Sequence, residues 1–218
     1  GKRMLSIADK LDRNYRSLSF EMTRAIDVEL VEEKLRKYGA EIDAVAFVHC
    51  ETTTGIMNPL EELARLAKSY GKKVFVDAMS SFAAYDIDMP GLDIDALAAS
   101  SNKCLEGLPG LSFVIAKKVL LDEASGNSSS HSLDLFDQYK SFSDGSGKFR
   151  FTSPTNVLLA LRQAIDDYKT EGGISARRKR YMENHSILVR GLEHLGIRPI
   201  IEPEYQSYII TTFELGNL

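Results

Sequence analysis

The chain has 218 residues, 44% of them hydrophobic and 27% charged, with a formal net charge of −4. That supports a sizeable core, as one large domain or a domain with a small appendage, and excludes a disordered segment. The mildly acidic balance gives no basic footprint for nucleic acid, and no apolar run approaches the ~20 residues a membrane-spanning helix needs.

In chain order, Gly1-Lys2-Arg3 lacks an initiator Met and opens onto a short helix, Met4 to Leu11, which reads as a cut end. Asp27 precedes an amphipathic run, Val28 to Tyr38, with Gly39 as its stop, and predicts a helix. The apolar stretch Ile42 to Val48 is too short for a helix and predicts a strand that ends in the polar loop His49 to Gly55. Asn58-Pro59 reads as the N-cap and first position of a helix with Leu60, Leu63, Leu66 and Ala67 on one face, ended by Gly71. A buried-type strand follows, Lys73 to Asp77, completing a β-α-β unit.

Two further apolar segments, Ile94 to Ser100 and Leu111 to Ala116, flank the run Ser101 to Gly110. This alternation predicts an α/β sheet with its ligands at the strand ends. From Asp122 to Lys148 the composition turns to Ser, Gly, Asp and His, predicting a long exposed loop with one turn of helix around Leu133 to Tyr139. Ser153-Pro154 starts a helix through Thr170, Ile174 to Leu195 predicts a second, and Ile197 to Phe213 reads as strands of a second, small domain. The apolar run from Tyr208 to Leu215 stops without a closing helix, so the chain is expected to be a fragment of something longer.

Cys50 and Cys104 have no metal-type or Cys-x-x-Cys spacing and are expected as small, buried, reduced thiols of a cytoplasmic protein. His49, His131, His185 and His194 also lack metal-ligand spacing, so no metal is expected. Arg177-Arg-Lys-Arg180 reads as a solvated or subunit-contacting face of its helix. No Gly-x-Gly-x-x-Gly follows a predicted strand, which weighs against a nicotinamide-binding unit. Taken singly, Asp77 reads as a turn aspartate and Lys103 as a solvated lysine.

Together they read differently. Lys103 lies 26 residues after Asp77, and four stretches occur in order: His49-Cys-Glu-Thr-Thr-Thr-Gly55, Val76-Asp-Ala-Met-Ser-Ser81, Ser101-Asn-Lys-Cys-Leu-Glu-Gly-Leu-Pro-Gly110 and Phe149-Arg-Phe-Thr-Ser-Pro-Thr155. In these the chain resembles the class V branch of the fold type I, pyridoxal-phosphate-dependent aminotransferases. With the loop Ser132 to Tyr139, the likeness within that branch is to enzymes that pass an amine from 2-aminoethylphosphonate to pyruvate. Ser153 and Asn156 depart from it, standing where proline and histidine are usual.

The resemblance implies an α/β fold with a mostly parallel sheet sandwiched by helices. Residues 1–172 would be the large cofactor-binding domain without its amino-terminal part. Residues 173–218 would be a connecting helix and the start of a small α+β domain. It implies pyridoxal phosphate carried by Lys103 as a Schiff base, with Asp77 on the pyridinium nitrogen. Thr52 would reach the phenolic oxygen with Thr54 nearby, Met79 would pack under the ring, and Asn102 and Thr152 would hold the phosphate. Thr152 would come from a neighbouring subunit, which implies a homodimer with shared sites. Arg150 is a candidate phosphonate contact. The partners implied are an amino donor and a keto acid, with no nucleic acid and no membrane. The alternatives are another class V transaminase, such as alanine:glyoxylate or serine:pyruvate, and an inactive partial domain or binding scaffold.

Overall fold

The computed structural model describes residues 1–144 and 147–214. Its centre is a four-stranded sheet in the order β1 (Ala44–Val48), β2 (Lys73–Asp77), β3 (Ala96–Ser100) and β4 (Ser112–Ala116). The first three strands run parallel and β4 runs antiparallel to β3. Parallel neighbours require a crossover, which between β1 and β2 is α3 (Leu60–Ser69). Its inner face, Leu63, Ala64 and Ala67, is fully buried against Val74 and Val76 of β2 and Leu97 of β3. The three parallel strands therefore end on one side, and residues 49, 77 and 101 leave the sheet along a common edge.

The remaining helices are α1 (Lys2–Lys10), α2 (Val28–Tyr38), α4 (Lys118–Glu123), α5 (Leu135–Ser143), α6 (Thr155–Glu171) and α7 (Gly173–Glu193). Asp27 caps α2, accepting from the Glu29 and Leu30 N–H groups, as the sequence pattern predicts. Gly71, at φ +68°, closes the turn after α3. No helix among the described residues is long and apolar enough to cross a membrane.

Three expectations need correction. Asn58 is not an N-cap: α3 begins after Pro59 with no side-chain cap. Buried Asn58 donates from Nδ2 to the Val48 carbonyl at 2.8 Å and accepts the Ile26 N–H at 2.9 Å. It ties the end of β1 to the segment entering α2, a use that competes with capping. The stretch 122–148 holds more helix than one turn, because Asp134 accepts the Asp137 N–H and starts the nine-residue α5. Residues 145 and 146 of that stretch lie outside the described residues.

The carboxyl-terminal segment, expected as strands, forms only isolated bridges, Ile56 with Gln206 and Pro199 with Phe213. Its middle bonds to the loop after β1, with the Ser207 N–H donating to Gly55 O and the Met57 N–H to Tyr205 O, both at 2.8 Å, while its ends bond each other, Ile200 N–H to Thr212 O and Glu214 N–H to Arg198 O, both at 3.0 Å. Tyr208 stacks on Tyr85 with ring centroids 4.1 Å apart. With its middle held by that loop, the segment pairs with itself only at its ends, through the one bridge between Pro199 and Phe213 among the described residues. Residues 215–218, the end of the expected terminal domain, lie outside the described residues.

Candidate active site

The carboxyl edge of the sheet, with the loops that leave it, carries Asp77, Met79, Asn102, Lys103, Thr52 and Thr54 of the residues singled out from the sequence. Asp77 is the last residue of β2 and pairs in register with Ala98 of β3, five positions before Lys103. The Asp77 carboxylate is half-buried, and one oxygen accepts the Met79 N–H at 3.0 Å. That bond turns the chain away from the strand and leaves Met79 half-buried beside it. Asp77 makes no ion pair among the described residues. Leaving a half-buried carboxylate without a cation is costly, so the local architecture fits a cationic guest.

Lys103 lies in the turn that follows β3. Its side chain is exposed and, among the described residues, forms neither an ion pair nor a hydrogen bond. The turn is closed beneath it by two backbone bonds, Glu106 N–H to Lys103 O at 2.7 Å and Gly107 N–H to Ser101 O at 2.8 Å. Gly107 is needed there, because a Cβ would stand 2.8 Å from the Ser101 carbonyl oxygen. The Ser101 hydroxyl donates to the Leu108 and Leu111 carbonyls and anchors the far side of the loop. Asn102 is exposed next to the lysine.

The third wall is the loop after β1. Thr52 is exposed, and its Oγ1 lies 2.7 Å from Ser80 Oγ, joining this loop to the one after Asp77. Thr54 is turned inward and buried, its hydroxyl accepting the Ile56 N–H at 3.4 Å, so it shapes the loop. Gly55, at φ +79°, lies so close to the carboxyl-terminal segment that a Cβ would meet the Ile210 oxygen at 2.1 Å. The Cys104 thiol donates to the Ser80 carbonyl at 3.2 Å, linking the Lys103 turn to the Asp77 loop.

Thr152 and Arg150 stand elsewhere in this chain, on the segment leading into α6. Neither contacts Asp77, Lys103 or Thr52 among the described residues. Thr152 is exposed. The Arg150 guanidinium pairs with Asp137 at 2.9 Å and donates to the His131 carbonyl at 2.7 Å, so a phosphonate contact would require that pair to open.

Sequence reasoning missed the polar atoms buried between these residues. His49 Nδ1, Ser81 Oγ and Ser100 Oγ are buried without a hydrogen-bond partner, each within four residues of the end of a parallel strand. Burial pushes His49 down to about 4, so the ring is neutral at neutral pH. Burial also pushes the Cys50 and Cys104 thiols up to about 11, consistent with their expected role as inert small residues. The available signal was the pair of Ser-Ser dyads, Ser80-Ser81 and Ser100-Ser101, following the two apolar strands.

The model of the aminotransferase class-V family matches residues 5–218. The chain belongs to that family. It is 48% identical over 98% of its length to a 2-aminoethylphosphonate–pyruvate transaminase of Phocaeicola vulgatus, and 44% identical to the protein of that name from Bacillus cytotoxicus. It spans 59% and 58% of those relatives. Among solved structures, it superposes on the alanine–glyoxylate aminotransferase of a Nostoc species with a TM-score of 0.88 at 22% identity. That match covers 99% of this chain and 57% of the other. A subgroup IV aspartate aminotransferase of Thermus thermophilus gives 0.86 at 22% identity, covering 99% and 59%. The structural likenesses establish the α/β fold with its mostly parallel sheet.

Proposed function

We propose that this chain is the cofactor-bearing core of a pyridoxal-phosphate-dependent aminotransferase that takes the amine of 2-aminoethylphosphonate, leaving phosphonoacetaldehyde, and delivers it to pyruvate as L-alanine. The observation that carries the reading is the convergence of an uncompensated carboxylate, Asp77, and an unpaired lysine, Lys103, at the ends of adjacent parallel strands. The names of relatives 44–48% identical to this chain support the substrates.

The residues present fit that cofactor. Its ring nitrogen is a cation when protonated and matches the half-buried Asp77. Its aldehyde needs a primary amine without a competing partner, which Lys103 Nζ provides. The buried, unpartnered His49 Nδ1, Ser81 Oγ and Ser100 Oγ give this edge unused hydrogen-bonding capacity suited to a polar occupant. Bound pyridoxal phosphate supplies an electron sink for the pair left behind when a proton leaves the substrate carbon.

The chain's own residues do the rest. Lys103 Nζ would hold the cofactor through its amine and, when free and neutral, would move the proton of the substrate carbon. Asp77, acceptor-only when ionised, keeps the ring nitrogen protonated. Thr52, oriented by its bond to Ser80, and Met79 would hold the ring, the first by a hydrogen bond and the second by packing. Asn102 would hold the phosphate, with Thr152 supplied by a second copy in a homodimer. Thr54 acts by shaping the loop. Arg150 meets the phosphonate if Asp137 releases it. In this reading residues 1–172 form the large domain and 173–218 the connection to a small one.

The test has two stages. Incubation with pyridoxal phosphate and borohydride should place the label on the peptide containing Lys103, and a folded chain that leaves that peptide unlabelled sinks the reading as a whole. Assays pairing 2-aminoethylphosphonate, alanine or serine with pyruvate or glyoxylate then decide the substrate. Turnover of alanine with glyoxylate that exceeds turnover of the phosphonate with pyruvate would reassign it to another class V reaction. A labelled chain with no turnover of any pair would be a binding scaffold.

A further inference from the structure

We infer that Arg177 is a positioning residue for Lys103: it clamps the turn that carries the lysine to the corner between α6 and α7. The inference rests on the assignment of Lys103 above.

The basic run Arg177 to Arg180 is expected from the sequence as a solvated or subunit-contacting face, yet Arg177 is only 2% exposed within this chain. A buried guanidinium is costly unless charges and hydrogen bonds compensate it, so its partners define its purpose. Two of its nitrogens reach Glu171 at 2.6 Å, where Glu171 is the last residue of α6. Another donates to the backbone carbonyl of Cys104, the residue after Lys103, and approaches Glu106 at 3.5 Å. Arg180 bridges the same two carboxylates, Glu171 at 2.7 Å and Glu106 at 2.9 Å, and the Tyr181 hydroxyl donates to Glu106 at 2.9 Å. The guanidinium also lies 5.1 Å from the centre of the Tyr168 ring. Two arginines and two glutamates leave the cluster neutral.

The target of this investment is the lysine turn. Glu106 adopts φ +61°, a left-handed conformation costly for a non-glycine residue, and its N–H closes the turn on Lys103 O. The side chain of Glu106 is held by Arg180 and Tyr181, and the Cys104 carbonyl by Arg177. The strained turn is thus gripped at two points, on either side of Leu105. Only a planar fork can serve Glu171 and the Cys104 carbonyl at once, so lysine at position 177 would keep the charge and lose the geometry.

Arg177→Lys is the diagnostic variant, measured in the 218-residue chain. Amides of 101–107 should exchange with solvent roughly 10-fold faster than in the parent, while those of β1 and β2 keep the parental rate. Trapping of pyridoxal phosphate at Lys103 by borohydride should slow roughly 10-fold. Reductive methylation of Lys103 by formaldehyde should be unchanged, because the amine is exposed in both proteins. If Arg177→Lys does not fold, Glu106→Gln, at the half-exposed end of the cluster, should shift the same readouts in the same direction by less. A purely structural role predicts faster exchange throughout the sheet, or faster exchange of 101–107 with trapping unchanged, and either result overturns the inference. If the folded parent traps no pyridoxal phosphate, the proposed function fails. The exchange pattern then decides the clamp alone, confined to 101–107 in its favour and spread through the sheet against it.

Discussion

The two ends of the central sheet carry the same kinds of charged side chain and treat them in opposite ways. At the amino end of β3, Asp95 is 7% exposed and fully committed: it accepts from the Val74 N–H at 2.7 Å, pairs with Lys117 at 2.7 Å, and also pairs with Lys68. Asp93 takes second contacts from the same two lysines. At the carboxyl end, Asp77 and Lys103 stand on neighbouring elements without an ion partner among the described residues. Lysines and aspartates that meet one another hold a fold together. Those kept apart by a turn and a strand end remain available to a guest. The lesson lies in commitment rather than composition, since each end offers both signs of charge.

The largest expected contrast comes from the free lysine. Under the proposed function, Lys103→Ala should lower transamination by roughly 10⁴-fold, since it would remove both the proposed covalent attachment and the proposed proton carrier. Its unfolding free energy, from urea titration, should stay within about 0.5 kcal/mol of the parent, as befits an exposed side chain. A variant that loses stability in proportion to activity would place Lys103 with the committed charges instead. Asp77→Asn comes next. It keeps an acceptor for the Met79 N–H but not the charge, and steady-state kinetics should show turnover down about 10²–10³-fold. Parental turnover would mean that no cation sits against this carboxylate.

Much of the frame could be read in advance. Short apolar runs bounded by glycine and polar loops marked all four strands, and the Asp27 cap and the Gly71 stop fell where the pattern put them. Lys103 and Asp77 stood out only as a spaced pair within flanking motifs, because one lysine after an apolar strand looks like any other, and their proposed roles rest on that pairing. What could not be read depends on contacts across many residues. Asn58 has the residue type and position of an N-cap, and only the end of β1 and Ile26 nearby show its other use. Arg177 belongs to a basic run whose helical periodicity does not show that Glu106 and Glu171 lie beneath it. The carboxyl-terminal segment has strand-like residues but divides its pairing between a loop and its own two ends, and a periodicity of two says nothing about the identity of the partner.

The committed end predicts a loss of stability rather than of chemistry. Asp95→Ala should destabilise the chain by about 3 kcal/mol, because it strands two lysines and a backbone N–H at a partly buried site. Urea titration measures the loss, and the folded fraction should retain parental turnover. A cost under about 1 kcal/mol would show that Lys68 and Lys117 find water easily and that the network is a surface ornament.

The pH dependence separates the two ends with the smallest effect and the clearest sign. Burial alone would raise the Asp95 carboxyl, but Lys117, Lys68 and the Val74 N–H outweigh it and hold the group below the ordinary carboxylate value. A depressed carboxyl contributes stability that is complete above the unfolded value, about 4, and is lost as pH falls through the folded one. His49, at the carboxyl end, has a different window. Burial lowers its folded value to about 4 from an unfolded value near 6.5, so between those limits the unfolded chain binds the proton and stability falls on acidification. Half-buried His185, also lowered by burial, adds to that loss with the same sign. Stability measured by urea midpoint should therefore drop by about 2 kcal/mol between pH 6.5 and 4, and again below pH 4. His49→Gln should flatten most of the first drop and leave the second, whereas Asp95→Ala should leave the first and reduce the second, to which Asp93 and Glu171, held low by their lysine and arginine partners, also contribute. A first drop that survives His49→Gln intact would mean that the ring is solvated at the strand end.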